Sequence, residues 1–310
     1  MINFRYHVVS LTAVFLALAI GLVVGTAALN GPVADSLKAQ VQALNRDNSN
    51  LRDQQNQYRD ELNRAQDFAS EVAPAMLDGK LAGRRILVVA LPGSQDYADQ
   101  VITMLAVAGA DVTAKVTVQD KFFDPLNDVE LLRLAEQASQ PSIPIAGLPM
   151  NSVGVETSSA LLARALQQRT PAVTPGDLTA LLSAYSESGY IAVEDKATGG
   201  AEATVIVSGL PAVDKDAARK SQSAVTLTTQ FAAEDRPVVV AGQGAGDGNL
   251  VAAVRADPAL VKTISTVDNA STTQGQLSTA LAVIERLVQD KVGQYGLTAG
   301  ASSLVPRTAT

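Results

Sequence analysis

Few residues in this chain are of types that do chemistry. There is no cysteine, one histidine (His7), and four methionines, Met1, Met76, Met104 and Met150, scattered without ligand spacing. Disulfides and thiolate metal sites are therefore excluded. Ser-His-Asp and Cys-His arrangements are excluded too, because the lone histidine lies at the edge of an apolar segment. His7 reads there as an interfacial amphipathic side chain. Neighbouring acids occur at Glu194-Asp195, at Asp214 and Asp216, and at Glu234-Asp235. Each borders an expected strand or helix and reads as a solvated turn rather than an acid–base pair. The glycine-rich run 242–248, GQGAGDG, follows an apolar run and could hold an anion on successive backbone N–H groups. It lacks the Lys-Ser/Thr of a phosphate-binding loop, and no helix is expected directly after it, so a flexible surface loop is the better reading. No catalytic, cofactor or metal set emerges, and the expectation is a protein that is not an enzyme.

The elements that would position such residues begin at Arg84. Residues 86–91, ILVVAL, form a continuous apolar run, as in a strand buried on both faces. A turn follows, with Ser94 placed to cap a helix over 96–107. Gly109 ends that helix, and 111–118 reads as the next strand, completing a βαβ unit. Helices are expected over 128–138, 157–168, 177–186, 216–233 and 274–292, with a Pro-rich loop at 141–149. Strands are expected over 190–193, 203–207, 237–241, 250–254 and 264–267. This alternation predicts an α/β domain over 84–296 with a Rossmann-like, mainly parallel sheet, and a disordered tail over 297–310. In a parallel sheet, segments that follow strand ends collect at one edge, where open α/β sheets bind ligands. Ser94, Ser208-Gly209, the loop carrying Gly242, Gly244 and Gly246, and Asp268-Asn269 would meet there as a candidate crevice.

The first quarter of the chain is built differently. No charge occurs from Val8 to Leu29, a stretch long enough to cross the roughly 30 Å hydrocarbon core as a helix. A cleavable signal peptide, cut near Thr26-Ala27-Ala28, is the alternative, although its apolar region would be shorter. Arg5 and the amino terminus on one side, with Asp35 and Lys38 roughly cancelling on the other, favour the amino terminus inside, although a count of Lys38 and Arg46 alone removes the bias. The expected location is a single pass of the cytoplasmic membrane, with everything after Asn30 in a periplasm-like space. Ala13, Ala17, Gly21 and Gly25 recur every four residues, a small-residue stripe of the kind that lets helices approach closely in lipid.

Seven-residue spacing then takes over. Leu37, Leu44, Leu51, Tyr58, Ala65 and Val72 fall at one heptad position, and Ala34, Val41, Asn48, Gln55, Leu62 and Ala69 at the other. A coiled coil over 32–74 is expected, started by Pro32, stopped by Pro74 and held in register by Asn48. A solitary amphipathic helix is the alternative. Both stripes suit a parallel homodimer, whose candidate contacts are Ala13, Ala17, Gly21, Gly25, Leu37, Val41, Leu44, Asn48, Leu51, Tyr58 and Leu62; a coil from another protein could take the same seam. The net charge of −7, with no basic cluster longer than Arg84-Arg85, argues against a nucleic-acid partner.

Three blocks carry a resemblance. Residues 5–25 (RYHVVSLTAVFLALAIGLVVG), 264–268 (ISTVD) and 292–296 (VGQYG) resemble the actinobacterial family known as mycobacterial copper transporter, MctB, in an arrangement that extends over almost the whole chain. The resemblance implies copper efflux or homeostasis, or an envelope channel. Corynebacterial relatives of this type are also connected with cell division and control of cell-wall hydrolases. No ligand motif carries over residue by residue. Cu(I) wants thiolate or thioether ligands, which this chain barely offers, and its short apolar strands do not suit a transmembrane barrel. Two function classes follow: a membrane-anchored scaffold that binds an envelope protein partner, or a copper-homeostasis component.

Overall fold

The computed structural model describes residues 4–149, 153–194 and 197–307, and for 28–33 the helical backbone alone. Met1, Met150, Asp195 and 308–310 lie outside the described residues. The chain divides into two compact units, Met1–Arg64 and Ala65–Thr310.

The first unit is helical. α1 (Phe4–Leu77) is a single helix that begins in the apolar stretch and carries the heptad region on without a break. It does not restart at Pro32, and it runs through Pro74 rather than stopping there. One missing N–H is tolerable in a helix whose next turn is anchored, and Ala73 and Leu77 are both fully buried. The true stop is Gly79, in the left-handed region (φ +69), just after the Asp78 N–H closes on the Pro74 carbonyl at 2.9 Å.

The second unit holds β1 (Arg85–Ala90), α2 (Gln95–Val107), β2 (Asp111–Val118), α3 (Asp120–Phe123), α4 (Asp128–Ala138), α5 (Gly154–Leu166), α6 (Pro175–Glu187) and β3 (Ile191–Glu194). It continues with β4 (Ala203–Ser208), α7 (Ala217–Phe231), β5 (Val238–Gly242), α8 (Leu250–Ala256), β6 (Ile264–Val267), α9 (Thr273–Gln289) and β7 (Gln294–Tyr295). The strands form one seven-stranded sheet in the order β3-β2-β1-β4-β5-β6-β7. Every pairing is parallel except β2 with β3. Apolar side chains alternate between two cores because successive strand residues face opposite ways. Leu87, Val89, Ile206 and Val240 pack under α3 to α8, whereas Ile86, Val88, Val205 and Val239 pack with α2, α9 and the last turns of α1. Helices on both faces explain why the strands read as unbroken apolar runs.

Several expectations change. Residues 250–254 form a helix, α8, not a strand: a five-residue apolar run fits either, and the Asn249 side chain accepts the Val251 N–H at 2.8 Å to start the helix. Residues 297–307 are not a loose tail. The Leu297 and Thr298 N–H groups bind the Asp268 carboxylate at 2.8 and 3.0 Å, and Ser303 bridges to Tyr295. Ala69 and Val72, assigned to the coil seam, face the α/β core, where Ala69 is buried and Val72 packs on the cluster of Ala73 and Leu77. The strand near Tyr190 begins at Ile191 and is the antiparallel edge. Its Glu194 joins Asp99 around Lys115, at 3.0 and 2.6 Å. Desolvation alone would lower the Lys115 pKa, but these two carboxylates outweigh it and raise it.

Candidate functional site

The strand order reverses between β1 and β4, since β1 leads outward to β2 and β3 while β4 leads outward to β5, β6 and β7. At that switch the loops leaving the carboxyl ends of the two strands part, and a crevice opens where α/β sheets bind ligands. A cavity of about 380 Å³ lies there. Leu91-Pro92 and the 208–212 loop form its floor, and Lys220, Ser221 and Asn249 stand on its walls. Gly209 is needed at the floor: a Cβ there would meet the Gly93 carbonyl oxygen at 2.7 Å.

The polar groups around the cavity are mostly committed. Lys220 Nζ pairs with Asp214 at 2.5 Å. That bond, with Asp120 and Asp124 nearby, raises the lysine pKa. The Ser221 hydroxyl donates to the Gly248 carbonyl at 2.8 Å, and Asn249 Nδ2 donates to the Gln243 carbonyl at 3.0 Å. Ser208 differs. Its hydroxyl is buried without a hydrogen-bond partner and lies against Gly242, where a Cβ would be 2.8 Å from it.

The sequence-based candidates lie along this carboxyl edge, because β1, β5 and β6 run parallel and the segments after them emerge together. Ser94, Gly242, Gly244, Gly246, Asp268 and Asn269 nevertheless do not line the cavity. Ser94 is fully buried and donates to the Leu91 and Val207 carbonyls at 2.7 and 2.8 Å, so it ties β1 to β4 and makes no side-chain cap for α2. Gly242 has no room for a side chain against Val251. The Gly244 N–H donates to the Asp268 carbonyl at 2.6 Å, and the Gly246 carbonyl accepts the Asn249 N–H at 3.1 Å. Asp268 is buried in an ion pair with Arg255 Nη1 at 2.9 Å. Burial alone would raise its pKa, but the Thr298 hydroxyl, the Leu297 and Thr298 N–H groups and Arg255 outweigh that and lower it. Asn269 Nδ2 donates to the Thr272 hydroxyl at 3.2 Å. These residues build the edge, while Ser208, Gly209 and Gly248 reach the cavity itself. Lys220 and Ser221 carried no spacing signal, because α7 reaches the crevice only once the strand order is known.

The stripes on α1 carry nothing in a single chain. Among the described residues, nothing beyond the helix's own backbone lies within 4 Å of where a Cβ on Gly21 or Gly25 would be, and Ala13 and Ala17 are exposed. Leu44 and Leu51 are 61% and 63% exposed, and Leu37, Val41, Asn48, Tyr58 and Leu62 are exposed as well.

An apolar helix over Phe4–Ala27, with mean hydropathy 2.6 and none of it buried, fits membrane anchoring. With the mostly parallel seven-stranded sheet, it defines a membrane-associated α/β protein. The chain belongs to the MctB family: the family described as "Copper transport outer membrane protein, MctB" matches residues 1–306. It is 31% identical to the copper transporter MctB of Mycobacterium tuberculosis and to that of Mycobacterium bovis, in each case over 98% of this chain and 99% of the relative. Against the Mycobacterium leprae protein of that name it is 28% identical over the same shares.

Proposed function

We propose that this protein is a non-catalytic envelope scaffold. It is anchored once in the cytoplasmic membrane with its amino terminus inside, and it acts by binding a protein partner in cell division or cell-wall hydrolase control. The observation that carries this is the exposed heptad stripe on α1, directly continuous with an apolar span in the same helix. Burial of a leucine contributes about 1.5–3 kcal/mol, so a stripe of them left in water is an unfilled seam. A parallel homodimer fills it, since both chains would start in one membrane. The crevice supports binding rather than turnover: Lys220 is neutralised by Asp214, and the buried Ser208 hydroxyl has no hydrogen-bond partner among the described residues to activate it.

The absence of cysteine from the sequence makes the test direct. In membranes of cells carrying single-cysteine variants, Leu44→Cys and Leu51→Cys should give disulfide-linked dimers, whereas Asp53→Cys, on the outward face, should not. An adduct with another protein in place of the dimer would give the seam to a partner's helix. Val213 is 99% exposed. Val213→Cys should therefore react with a membrane-impermeant thiol reagent before lysis if the α/β unit is outside, and labelling only after lysis would overturn the topology.

The family's description favours a second reading, copper efflux or homeostasis at the envelope. The donor set of this chain gives it little support. Met104 is buried in the apolar core and Met76 packs against it, while His7 belongs to the apolar span. Saturable Cu(I) binding by the full chain in equilibrium dialysis, lost in Met76→Leu or His7→Ala, would restore it.

A further inference from the structure

The opposite edge of the sheet, at the amino ends of β4 and β5, holds a second cavity of about 370 Å³, within the range of small-ligand pockets. Three arginines from three segments converge on it: Arg164 in the last turn of α5, Arg169 in the loop beyond, and Arg236 just before β5. Each donates to at least one backbone carbonyl. Arg164 Nη1 donates to the carbonyls of Pro144 and Ala146 at 2.6 and 2.9 Å. Arg169 Nη1 donates to the Ser142 carbonyl at 3.2 Å, and Arg236 Nη1 donates to the Gln168 carbonyl. Carbonyls orient a guanidinium without cancelling its charge. Among the described residues that line the cavity, the one carboxylate is Glu234, which pairs with Arg236 Nη2 at 3.1 Å; behind the lining, Glu156 accepts the Gln230 side-chain N–H at 3.2 Å. Among the described lining residues, three positive charges thus stand against one negative charge, in a chain whose formal net charge is −7. The crowding registers on Arg164, whose pKa is lowered by burial first and by the charge of Arg169 second. The side chain of Glu234 is 77% exposed, and its backbone, like that of Asp235, is held at positive φ (61° and 56°) at the rim. Gln167 and Gln230 complete a polar wall.

We propose that this cavity binds a phosphate monoester dianion. The excess of two positive charges matches the two negative charges of such a group. Guanidinium forks bind phosphate oxygens in bidentate fashion where a lysine would act only as a point charge. The volume left beyond a phosphate admits the organic part of a soluble ester or the first atoms of a lipid headgroup. The site is separate from the crevice at the carboxyl edge and does not depend on the scaffold reading.

Phenyl phosphate is the soluble probe, titrated calorimetrically into the full chain in detergent micelles at fixed ionic strength. Nanodiscs containing phosphatidate are the lipid probe. One-to-one saturable binding is expected from at least one of them, and which one responds identifies the source. Binding should strengthen as pH rises through the second ionisation of the monoester, at about 6. Arg164→Gln and Arg169→Gln should each weaken it about tenfold or more, with the corresponding lysine variants intermediate. Glu234→Gln removes the competing carboxylate from an exposed position and should tighten binding severalfold, which keeps the test sharp if an arginine variant folds poorly. Absence of saturable binding of either probe, Arg-to-Gln variants that bind as wild type, or tighter binding of succinate than of phenyl phosphate would overturn the proposal.

Discussion

Leu44 and Leu77 stand on the same helix and differ completely in fate. Leu44 is 61% exposed in a single chain, and Leu77 is fully buried in the α/β core. The spacing of apolar residues changes between them. From Leu37 to Leu62 they keep heptad positions, a period of 3.5 that favours a supercoiling partner helix. The residues α1 buries in the α/β unit are Ala69, Ala73 and Leu77, four apart, which follow the straight-helix face. Two of them are alanines, small enough for the backbone to approach its neighbours closely. One helix therefore carries two kinds of apolar face, one completed within the chain and one left uncovered by it.

The comparison breaks most visibly under a charge. Leu77→Asp would place a carboxylate in a fully apolar cluster and should destabilise the α/β unit by more than about 4 kcal/mol. The near-ultraviolet dichroism of its buried tyrosines, Tyr185, Tyr190 and Tyr295, would report that loss. The same substitution at Leu44 should leave the signal intact and lower only the oligomeric state. If Leu44→Asp also melts the α/β unit, the two faces are not independent.

A second test acts on the α/β unit alone. Asp268→Asn leaves Arg255 buried without its counter-charge and should cost about 3–5 kcal/mol, read by the same dichroism. Acid should imitate it. The folded pKa of Asp268 lies below its ordinary value of 3.8. The stabilisation is therefore present above that value and is lost as pH falls through the depressed folded pKa. Wild type should lose stability in that window, and the asparagine variant should show a shallower pH slope. Equal slopes would remove Asp268 from the account.

The smaller effects belong to the uncovered face. Leu51→Ala removes one side chain from the proposed seam and should lower the stability of the oligomer by about 2 kcal/mol, seen as a concentration-dependent shift in far-ultraviolet melting of the full chain in detergent. Asn48→Leu should act in the other direction, raising coil stability by about 1–3 kcal/mol while admitting more than one oligomer size on sedimentation. An unchanged, single-sized oligomer would mean that Asn48 does not sit in the seam.

Much of the fold was readable in residue order. The second strand and the helix at 128–138 match the structure to the residue, since Gly109 and the switch from period two to period 3.6 mark their limits. The misread segments share a cause. The run 250–254 is too short for periodicity to decide, and the segment after Leu297 is polar but finds Asp268 and Gln294 waiting for its N–H groups. Short elements are decided by what lies beside them in space, and spacing along the chain does not record that.

The sequence by itself determined the apolar amino-terminal span, the heptad stripe and the alternating α/β pattern, because each rests on local periodicity and on the free energy of burying or exposing a repeating face. Only the tertiary structure decided which strands are neighbours. That order put the crevice between β1 and β4, with Lys220 and Ser221 on its wall, and brought Arg236 to Arg164 and Arg169 from a distant segment. Pairing between distant strands depends on the packing of helices across both faces of the sheet, a global balance to which no single stretch of residues holds the key.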